Sequence, residues 1–287
     1  MTDLSSPRPG PQPFLLLLDE AMRYTRRHFR AIYPAVAIPI ALLATAVGVA
    51  QALLLDRILD TAGTPQSPLL SLESIAASLV YLGVLIVGYN AMQVAAADAV
   101  AGRPIDVGRG WRFTLQPRVL GTLALWYVAV MGSFVLCCLP FFFVAPLLSF
   151  IPMAMADEGA FGLRAFSRSS ELARHNPGRR FSEAPWFKAL LLMLVVMVIS
   201  YVVTILVTLP FQLPMLVDIF RSAAAGEDPT ESMGSWLWLQ VPGQLLGALA
   251  STAVYLYMSF GVSLLFFDTR GRKEGTDLVS AIDEVFS

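Results

Sequence analysis

Residues 186–210 read WFKALLLMLVVMVISYVVTILVTLP, a run whose single charged residue is Lys188 in its first turn. A helix that crosses the hydrocarbon core of a bilayer needs about 20 predominantly apolar residues, and this run is longer than that. The whole chain has the same character, because apolar residues make up 56% of it and charged residues 14%. Soluble domains contain about 45–50% and about 25% of these residues. The composition therefore favours a membrane protein over a soluble one.

Six apolar runs of this kind predict membrane spans. The fourth run is the shortest and contains Pro146 and Pro152, so a straight helix is least expected there. Pro140, between the third and fourth runs, predicts a tight turn. The sequence thus predicts an all-α fold, a polytopic membrane helix bundle with six transmembrane helices. The predicted spans are residues 32–55, 74–97, 119–139, 141–156, 186–210 and 241–267.

Lys and Arg residues are distributed unevenly between the two sides of these spans. Eighteen of the 20 fall in the N-terminal segment, in the second and fourth connections and at the C-terminus. Only Arg57 and Arg221 fall in the connections on the opposite side. Because short connections rich in Lys and Arg stay in the cytoplasm, both termini are predicted to be cytoplasmic.

The inner connections also carry amphipathic helical patterns, over residues 14–30, 106–115 and 160–175, and again over 276–286. Basic amphipathic helices beside a membrane lie in its interface. We therefore expect three pseudo-repeats of a surface helix followed by a helical hairpin, over about residues 14–98, 105–157 and 160–268, and a final surface helix. Residues 1–13 are Pro-rich and predict a disordered tail ahead of a single membrane domain, 14–287. A signal peptide is disfavoured because its charged segment would be far too long.

An acid stands where each even-numbered span ends on the inner side, at Asp98, Asp157 and Asp268. One hypothesis is that these three boundary acids form a cytoplasmic ring that binds a cation or a substrate. The other is that each acid marks a membrane exit and neutralises the basic segment beside it. We favour the second hypothesis, because a basic segment follows each acid closely in the chain.

Charged residues are missing from the middle of every predicted span, so ion coupling is not expected. Uncharged polar residues do occur within the spans, among them Asn90, Gln93 and Gln244. Such groups usually form hydrogen bonds between helices. The alternative is that these three residues line a polar path for a neutral or zwitterionic solute.

Catalytic and cofactor motifs do not stand out in the sequence. It contains no P-loop, no Gly-rich dinucleotide turn and no metal-type His/Glu spacing. The two histidines, His28 and His175, lie in polar helical segments. The adjacent Cys137 and Cys138 fit neither a disulfide framework nor a zinc site. We therefore expect no enzymatic activity, no metal and no cofactor.

Three segments resemble one known family. Residues 15–34 (LLLLDEAMRYTRRHFRAIYP), 150–176 (FIPMAMADEGAFGLRAFSRSSELARHN) and 264–278 (LLFFDTRGRKEGTDL) are similar to stretches of the bacterial membrane-domain family named after glycerophosphoryl diester phosphodiesterases. The third follows that family's closing pattern, with Gly271 where an apolar residue is usual. The resemblance implies a six-span bundle in the bacterial cytoplasmic membrane. It does not imply hydrolysis, because no stretch outside the predicted spans is long enough for the family's soluble catalytic barrel.

Two functional hypotheses follow from these patterns. The first is a non-catalytic scaffold or accessory subunit whose basic inner face binds anionic lipid or a partner protein. The second is a transporter or permease-like protein for a neutral or zwitterionic solute. Membrane lipids and another membrane or cytoplasmic protein are the expected partners, nucleic acid is not, and the oligomeric state is open. The binding residues of the first hypothesis are Arg23, Arg26, Arg27, Arg164, Arg168, Arg174, Arg270, Arg272 and Lys273.

Overall fold

A computed structural model describes residues 13–60, 72–136, 138–175, 180–225 and 230–286 of the chain. Every element in these ranges is helical, which confirms the predicted all-α class. The predicted tail, apart from its last residue, and Cys137 lie outside them. The helices are α1 (Phe14–Asp60), α2 (Leu72–Val100), α3 (Val107–Thr114), α4 (Pro117–Leu136), α5 (Cys138–Leu147), α6 (Ile151–Glu158), α7 (Leu163–Arg174), α8 (Pro185–Ala225) and α9 (Thr230–Phe286), with a 3-10 turn at Phe181–Glu183.

Five stretches within these ranges are long and apolar enough to cross a membrane, so the chain is a multi-pass membrane protein by helix length and composition. They correspond to the first, second, fourth, fifth and sixth predicted spans. The third predicted span falls on α4, a helix of 20 residues that ends just before Cys137. The five stretches are Phe14–Ala50, Leu82–Val100, Pro140–Glu158, Pro185–Ser222 and Val241–Gly275.

The chain divides into two compact units. Unit 1 consists of Met1–Ile32, Asn90–Val196 and Leu256–Ser287, and therefore contains all of α3 to α7. Unit 2 consists of Tyr33–Tyr89 and Met197–Tyr255.

Tyrosine hydroxyls join α1 to α9 within each unit. In unit 1, Tyr257 Oη donates to the Leu18 carbonyl oxygen at 3.3 Å. In unit 2, Tyr33 Oη donates to the Leu249 carbonyl oxygen at 2.9 Å. Both contacts use a backbone carbonyl that already serves its own helix, so they add side-chain links without disturbing either helix.

α1 is longer than the sequence pattern predicts. The amphipathic segment 14–30 and the first predicted span form one uninterrupted helix that contains Pro34 and Pro39. The change from amphipathic to apolar pattern carries no helix-ending glycine, and prolines are tolerated in apolar helices whose neighbours satisfy the freed carbonyls. α9 likewise continues through residues 276–286. The predicted surface helices at the two ends of the chain are therefore extensions of longer helices.

A turn at residues 148–150 divides the fourth predicted span into α5 and α6. Pro152 lies in the first turn of α6, where its missing N–H has no helical partner to lose. In a continuous helix its ring would clash with the carbonyl of Leu148. α5 has ten residues, so it is about 15 Å long, roughly half the hydrocarbon thickness of a bilayer. It also contains Pro146. The fourth span is therefore not a straight helix.

Pro140 does not mark the connection between α4 and α5. It lies inside a helix and not in the predicted turn, since α5 begins at Cys138. Pro140 lies in the first turn of α5, a position where proline is tolerated for the same reason as Pro152 in α6.

Ser169 of α7 satisfies the backbone at the turn between α5 and α6. Its hydroxyl donates to the Leu147 carbonyl oxygen at 2.7 Å and accepts from the Phe150 N–H at 3.2 Å. Ser169 and Phe150 are fully buried, so water cannot replace either bond. A broken helix in apolar surroundings needs such protein partners for its freed backbone groups.

α3 is fixed against α2 by small residues. Asp106 caps the start of α3 by accepting a backbone hydrogen bond at 3.0 Å. At Gly110 an added Cβ would lie 2.7 Å from the Ala91 carbonyl oxygen, so only glycine permits this approach. One turn later, Thr114 Oγ1 accepts a hydrogen bond from Asn90 Nδ2 at 2.8 Å.

Candidate functional site

Two of the three boundary acids share one arginine in unit 1. Arg103 donates from Nε to Asp98 at 2.7 Å and from Nη1 to Asp157 at 2.5 Å. The side chain of Asp98 is 1% exposed and that of Asp157 is 8% exposed, so both carboxylates need such partners to remain charged. Arg109 adds a second contact to Asp98 at 3.3 Å. These contacts tie the end of α2 to the end of α6.

Arg270 of α9 extends this set of ion pairs. It binds Asp157 through Nη1, and its Nε donates to Glu274 one turn along α9 at 2.7 Å. α7 joins through Arg168, which donates to both carboxylate oxygens of Glu158 at 2.7 and 3.0 Å. Together these residues form an ion-pair network between α2, α3, α6, α7 and α9. Its members are Asp98, Arg103, Arg109, Asp157, Glu158, Arg168, Glu171, Arg270, Lys273 and Glu274.

The network keeps its arginines charged. Burial lowers the pKa of the Arg103 guanidinium, but the hydrogen bonds and charges of Asp157 and Asp98 outweigh it, so the pKa is raised. The hydrogen bond to Glu158 raises the pKa of Arg168, which burial opposes. Because these guanidinium groups stay protonated, Arg103 and Arg168 remain charged cross-links between helices.

Asp268, the third boundary acid, pairs with Arg272 four residues along α9 at 2.5 Å. Each boundary acid therefore faces at least one arginine. This geometry favours neutralisation of basic segments over a ring of acids that binds a cation. Across the described residues, no group of three or more His, Cys, Asp or Glu side chains is placed to hold a metal ion.

The cations predicted to bind lipid or a partner protein fall into two groups. The first group forms ion pairs with acids and comprises Arg23, Arg168, Arg270, Arg272 and Lys273. The second group is exposed and has no acid partner among the side chains that the structure describes; it comprises Arg26, Arg27, Arg164 and Arg174. Because its charges are not neutralised by a neighbouring acid, the second group is the better candidate for binding an anionic ligand.

Comparison with known proteins assigns no role to these residues. The chain matches no protein-family model, no curated protein and no solved structure. The resemblance carried by residues 264–278 therefore stays a prediction, and the candidate site is defined by its geometry.

A cavity of about 420 Å³ lies between α1, α8 and α9 in unit 2. Its walls are small residues and four polar ones, Thr204, Thr208, Gln244 and Ser251. The hydroxyls of Thr208 and Ser251 donate to carbonyls of their own helices at 2.8 and 3.1 Å. The Gln244 amide lies against Gly48, where an added Cβ would overlap its oxygen. Gln244 and Thr204 are therefore the polar side chains through which this cavity would bind a ligand.

The other two predicted path residues, Asn90 and Gln93, belong to unit 1. Asn90 is 3% exposed and donates to Thr114, while its Oδ1 has no hydrogen-bond partner among the described residues. Gln93 is half-buried further along α2. Asn90 thus positions α3, and the cavity of unit 2 is lined without either residue.

The sequence patterns did not identify several of the residues that form these contacts. Arg270 and Glu274 have the spacing of a helical ion pair, so that contact was predictable. Arg103 and Ser169 were not identified, because their bonds to Asp157 and Leu147 join residues 54 and 22 positions apart. No spacing rule predicts contacts of that kind.

Proposed function

We propose that this chain is a non-catalytic, multi-pass protein of the bacterial cytoplasmic membrane that binds anionic lipid or a partner protein through its basic inner face. In this proposal six spans, arranged as three repeats of a surface helix and a hairpin, place both termini in the cytoplasm. The observation that carries the proposal is the set of exposed arginines, Arg26, Arg27, Arg164 and Arg174, that lack an acid partner within the described ranges.

Electrostatic attraction supports the same reading. Each Lys or Arg near an anionic bilayer surface contributes about 1 kcal/mol of attraction. An arginine with a bound carboxylate, such as Arg168, contributes less because the pair is neutral. The attraction is therefore concentrated on α1 and on the two ends of α7, and Arg168 anchors α7 through Glu158 and so holds its arginines in place.

Lipid retention by the purified protein tests the proposal. The variant R26Q/R27Q/R164Q/R174Q removes four positive charges, and R26K/R27K/R164K/R174K keeps them as a matched control. Native mass spectrometry after exposure to equal amounts of phosphatidylglycerol and phosphatidylethanolamine measures the preference for anionic lipid, and cross-linking in membranes measures partner capture. We expect the Gln variant to lose at least about tenfold in that preference, or to lose its partner, while the Lys variant keeps both. Unchanged preference and unchanged partner capture in the Gln variant would refute the proposal.

Transport of a neutral or zwitterionic solute is the second candidate function, and the cavity of unit 2 favours it. Gln244 offers both a hydrogen-bond donor and an acceptor there, whereas the Thr208 and Ser251 hydroxyls donate to their own helices. Thermal stabilisation by a panel of neutral and zwitterionic solutes, compared between wild type and Gln244→Leu, tests this candidate. Stabilisation that disappears in the variant supports transport, and no stabilisation of the wild type by any solute of the panel counts against it.

A further inference from the structure

The start of α4 and the loop that precedes α7 are joined in unit 1 by a short chain of hydrogen bonds. The Gly162 N–H donates to Thr122 Oγ1 at 2.8 Å, and the Thr122 hydroxyl donates to the Arg118 carbonyl oxygen at 2.8 Å. The ring centroids of Phe113 and Phe161, one on each side of this junction, are 6.5 Å apart. Gly162 has a φ of +58°, which favours glycine. The first turns of α4 and α7 are therefore held beside each other.

Two leucines and two arginines lie next to this junction in the chain, Leu115 and Arg118 ahead of Thr122 and Leu163 and Arg164 directly after Gly162. We call these four residues the junction patch. Leu115 is 57% exposed and Leu163 is 77% exposed. Arg118 and Arg164 are exposed and make no ion pair with an acid of the described chain. Arg118 lies in the second connection, which its content of Arg predicts to be cytoplasmic.

The positions of the two arginines are unfavourable for helix stability. Arg118 and Arg164 are each the second residue of their helix, α4 and α7. The positive end of the helix dipole lies there and disfavours a cation. Neither residue is explained by the folding of the junction, whose hydrogen bonds use the Arg118 carbonyl and the Gly162 N–H. Their charge therefore points to a ligand of opposite sign.

The leucines identify the kind of ligand. A small soluble anion would contact the guanidinium groups but would leave Leu115 and Leu163 in water. A bilayer surface contacts both, because apolar side chains enter the boundary between headgroups and acyl chains while basic ones meet the phosphates. Arginine suits the second contact, since its planar fork binds phosphate through two parallel hydrogen bonds.

We propose that the junction patch binds an anionic phospholipid of the cytoplasmic leaflet. The phosphate lies between Arg118 and Arg164, and the glycerol and upper acyl chain lie against Leu115 and Leu163. This inference rests on the proposed function, and it narrows the ligand to a lipid and the site to the junction of α3, α4 and α7.

Lipid titration of the full-length protein in detergent tests the inference. The probes are phosphatidylglycerol and phosphatidylethanolamine with identical acyl chains, read by native mass spectrometry. R118Q/R164Q removes both cations, and R112Q/R221Q is the matched control because it removes equal charge from two exposed arginines outside the predicted binding set. We expect R118Q/R164Q to lose about fivefold in phosphatidylglycerol affinity per arginine, with phosphatidylethanolamine affinity unchanged. The control should stay within about twofold of the wild type.

Two further variants separate charge from apolar contact and from folding. L115S/L163S should weaken both lipids to a similar degree, since it removes apolar area and leaves the guanidinium groups in place. R118K/R164K keeps both charges but not the planar fork, so it should retain part of the phosphatidylglycerol preference. A failure of R118K/R164K to restore a preference lost in R118Q/R164Q would mean that the Gln variant acts through structure, and this would overturn the inference.

The outcomes distinguish this inference from the proposed function. If the wild type showed no preference for phosphatidylglycerol and captured no partner, both the proposed function and the lipid site would be refuted. If R118Q/R164Q kept the preference of the wild type for phosphatidylglycerol, the lipid site alone would be refuted. Loss of a cross-linked protein partner from R118Q/R164Q, with lipid preference intact, assigns the junction patch to a protein surface and likewise overturns the lipid inference.

Discussion

The hydroxyl of Ser169 donates a 2.7 Å hydrogen bond to the carbonyl oxygen of Leu147, across the break between α5 and α6. It also accepts from the N–H of Phe150, so one side chain of α7 satisfies both sides of the break. The preceding residue, Arg168, binds Glu158 at the last turn of α6. Adjacent residues of α7 therefore fix the beginning and the end of α6.

Replacement of Ser169 by Ala should destabilise the protein. The substitution leaves the buried Phe150 N–H without a partner, and an unsatisfied buried donor costs about 1–3 kcal/mol. The measurement is the thermal unfolding midpoint of the detergent-solubilised protein. Ser170→Ala is the matched control, because that hydroxyl donates to the Ser167 carbonyl at an exposed position. Equal midpoints for the two variants would contradict the bridging role of Ser169.

Replacement of Gly110 by Ala should separate α3 from α2. The added Cβ would lie 2.7 Å from the backbone oxygen of Ala91, which cannot move without shifting α2. Overpacking of this kind costs about 1–3 kcal/mol, and it should also weaken the bond from Asn90 to Thr114. Gly121→Ala, where no atom lies within 4 Å of the added Cβ, should leave stability unchanged or raise it. A midpoint for Gly110→Ala at or above that of the control would show that the approach of α3 to α2 is not close.

The sequence predicted the fold at the level of helices and their apolar character. Runs such as residues 186–210 required apolar surroundings, and the described chain is helical throughout, with five stretches long enough to cross a membrane. Pro146 and Pro152 also marked the weak fourth span, and the structure breaks it between them. These features are local, because each depends on the residues of one segment.

The features that the sequence did not predict depend on contacts between segments. The acids at the span ends were visible, but the sharing of Arg103 between Asp98 and Asp157 was not. The division of the cations into a group that pairs with acids and a group that does not also depends on contacts between segments. Charge alone does not reveal that Arg168 faces Glu158 while Arg164, on the same helix, faces no acid that the structure describes.

Replacement of Asp157 by Asn tests the ion-pair network. Asp157 is 8% exposed and lies between Arg103 and Arg270, so the substitution removes the shared negative charge from two partly buried cations. Hydrogen bonds to charged groups contribute about 1.5–3 kcal/mol, and we expect a loss of that order in the free energy of unfolding. Asp19→Asn is the control, because its pair with Arg23 is exposed on both sides and should contribute at most about 1 kcal/mol. A loss for Asp157→Asn no larger than for Asp19→Asn would mean that the network does not stabilise unit 1.

Glu171 gives the network a predicted dependence on pH. Its carboxylate accepts a hydrogen bond from Lys273, and this bond, helped by the charges of Lys273 and Arg168 and opposed by burial, lowers the pKa of Glu171 below its usual value of 4.5. Between that value and the lowered pKa, the unfolded chain binds more protons at this position than the folded protein does. The stabilisation is therefore complete above pH 4.5 and is lost as the pH falls through the lowered pKa.

The unfolding midpoint measured as a function of pH isolates this contribution when wild type and Glu171→Gln are compared. The other acids of the network are the same in both proteins, so the difference between the two curves reports Glu171. We expect the difference to be constant above pH 4.5 and to shrink below it, since the protonated carboxyl resembles the amide. Lys273→Gln should reduce the same difference only in part, because Arg168 remains 3.5 Å from Glu171. A difference between wild type and Glu171→Gln that stays constant to the acid limit would show that the contact with Lys273 does not form.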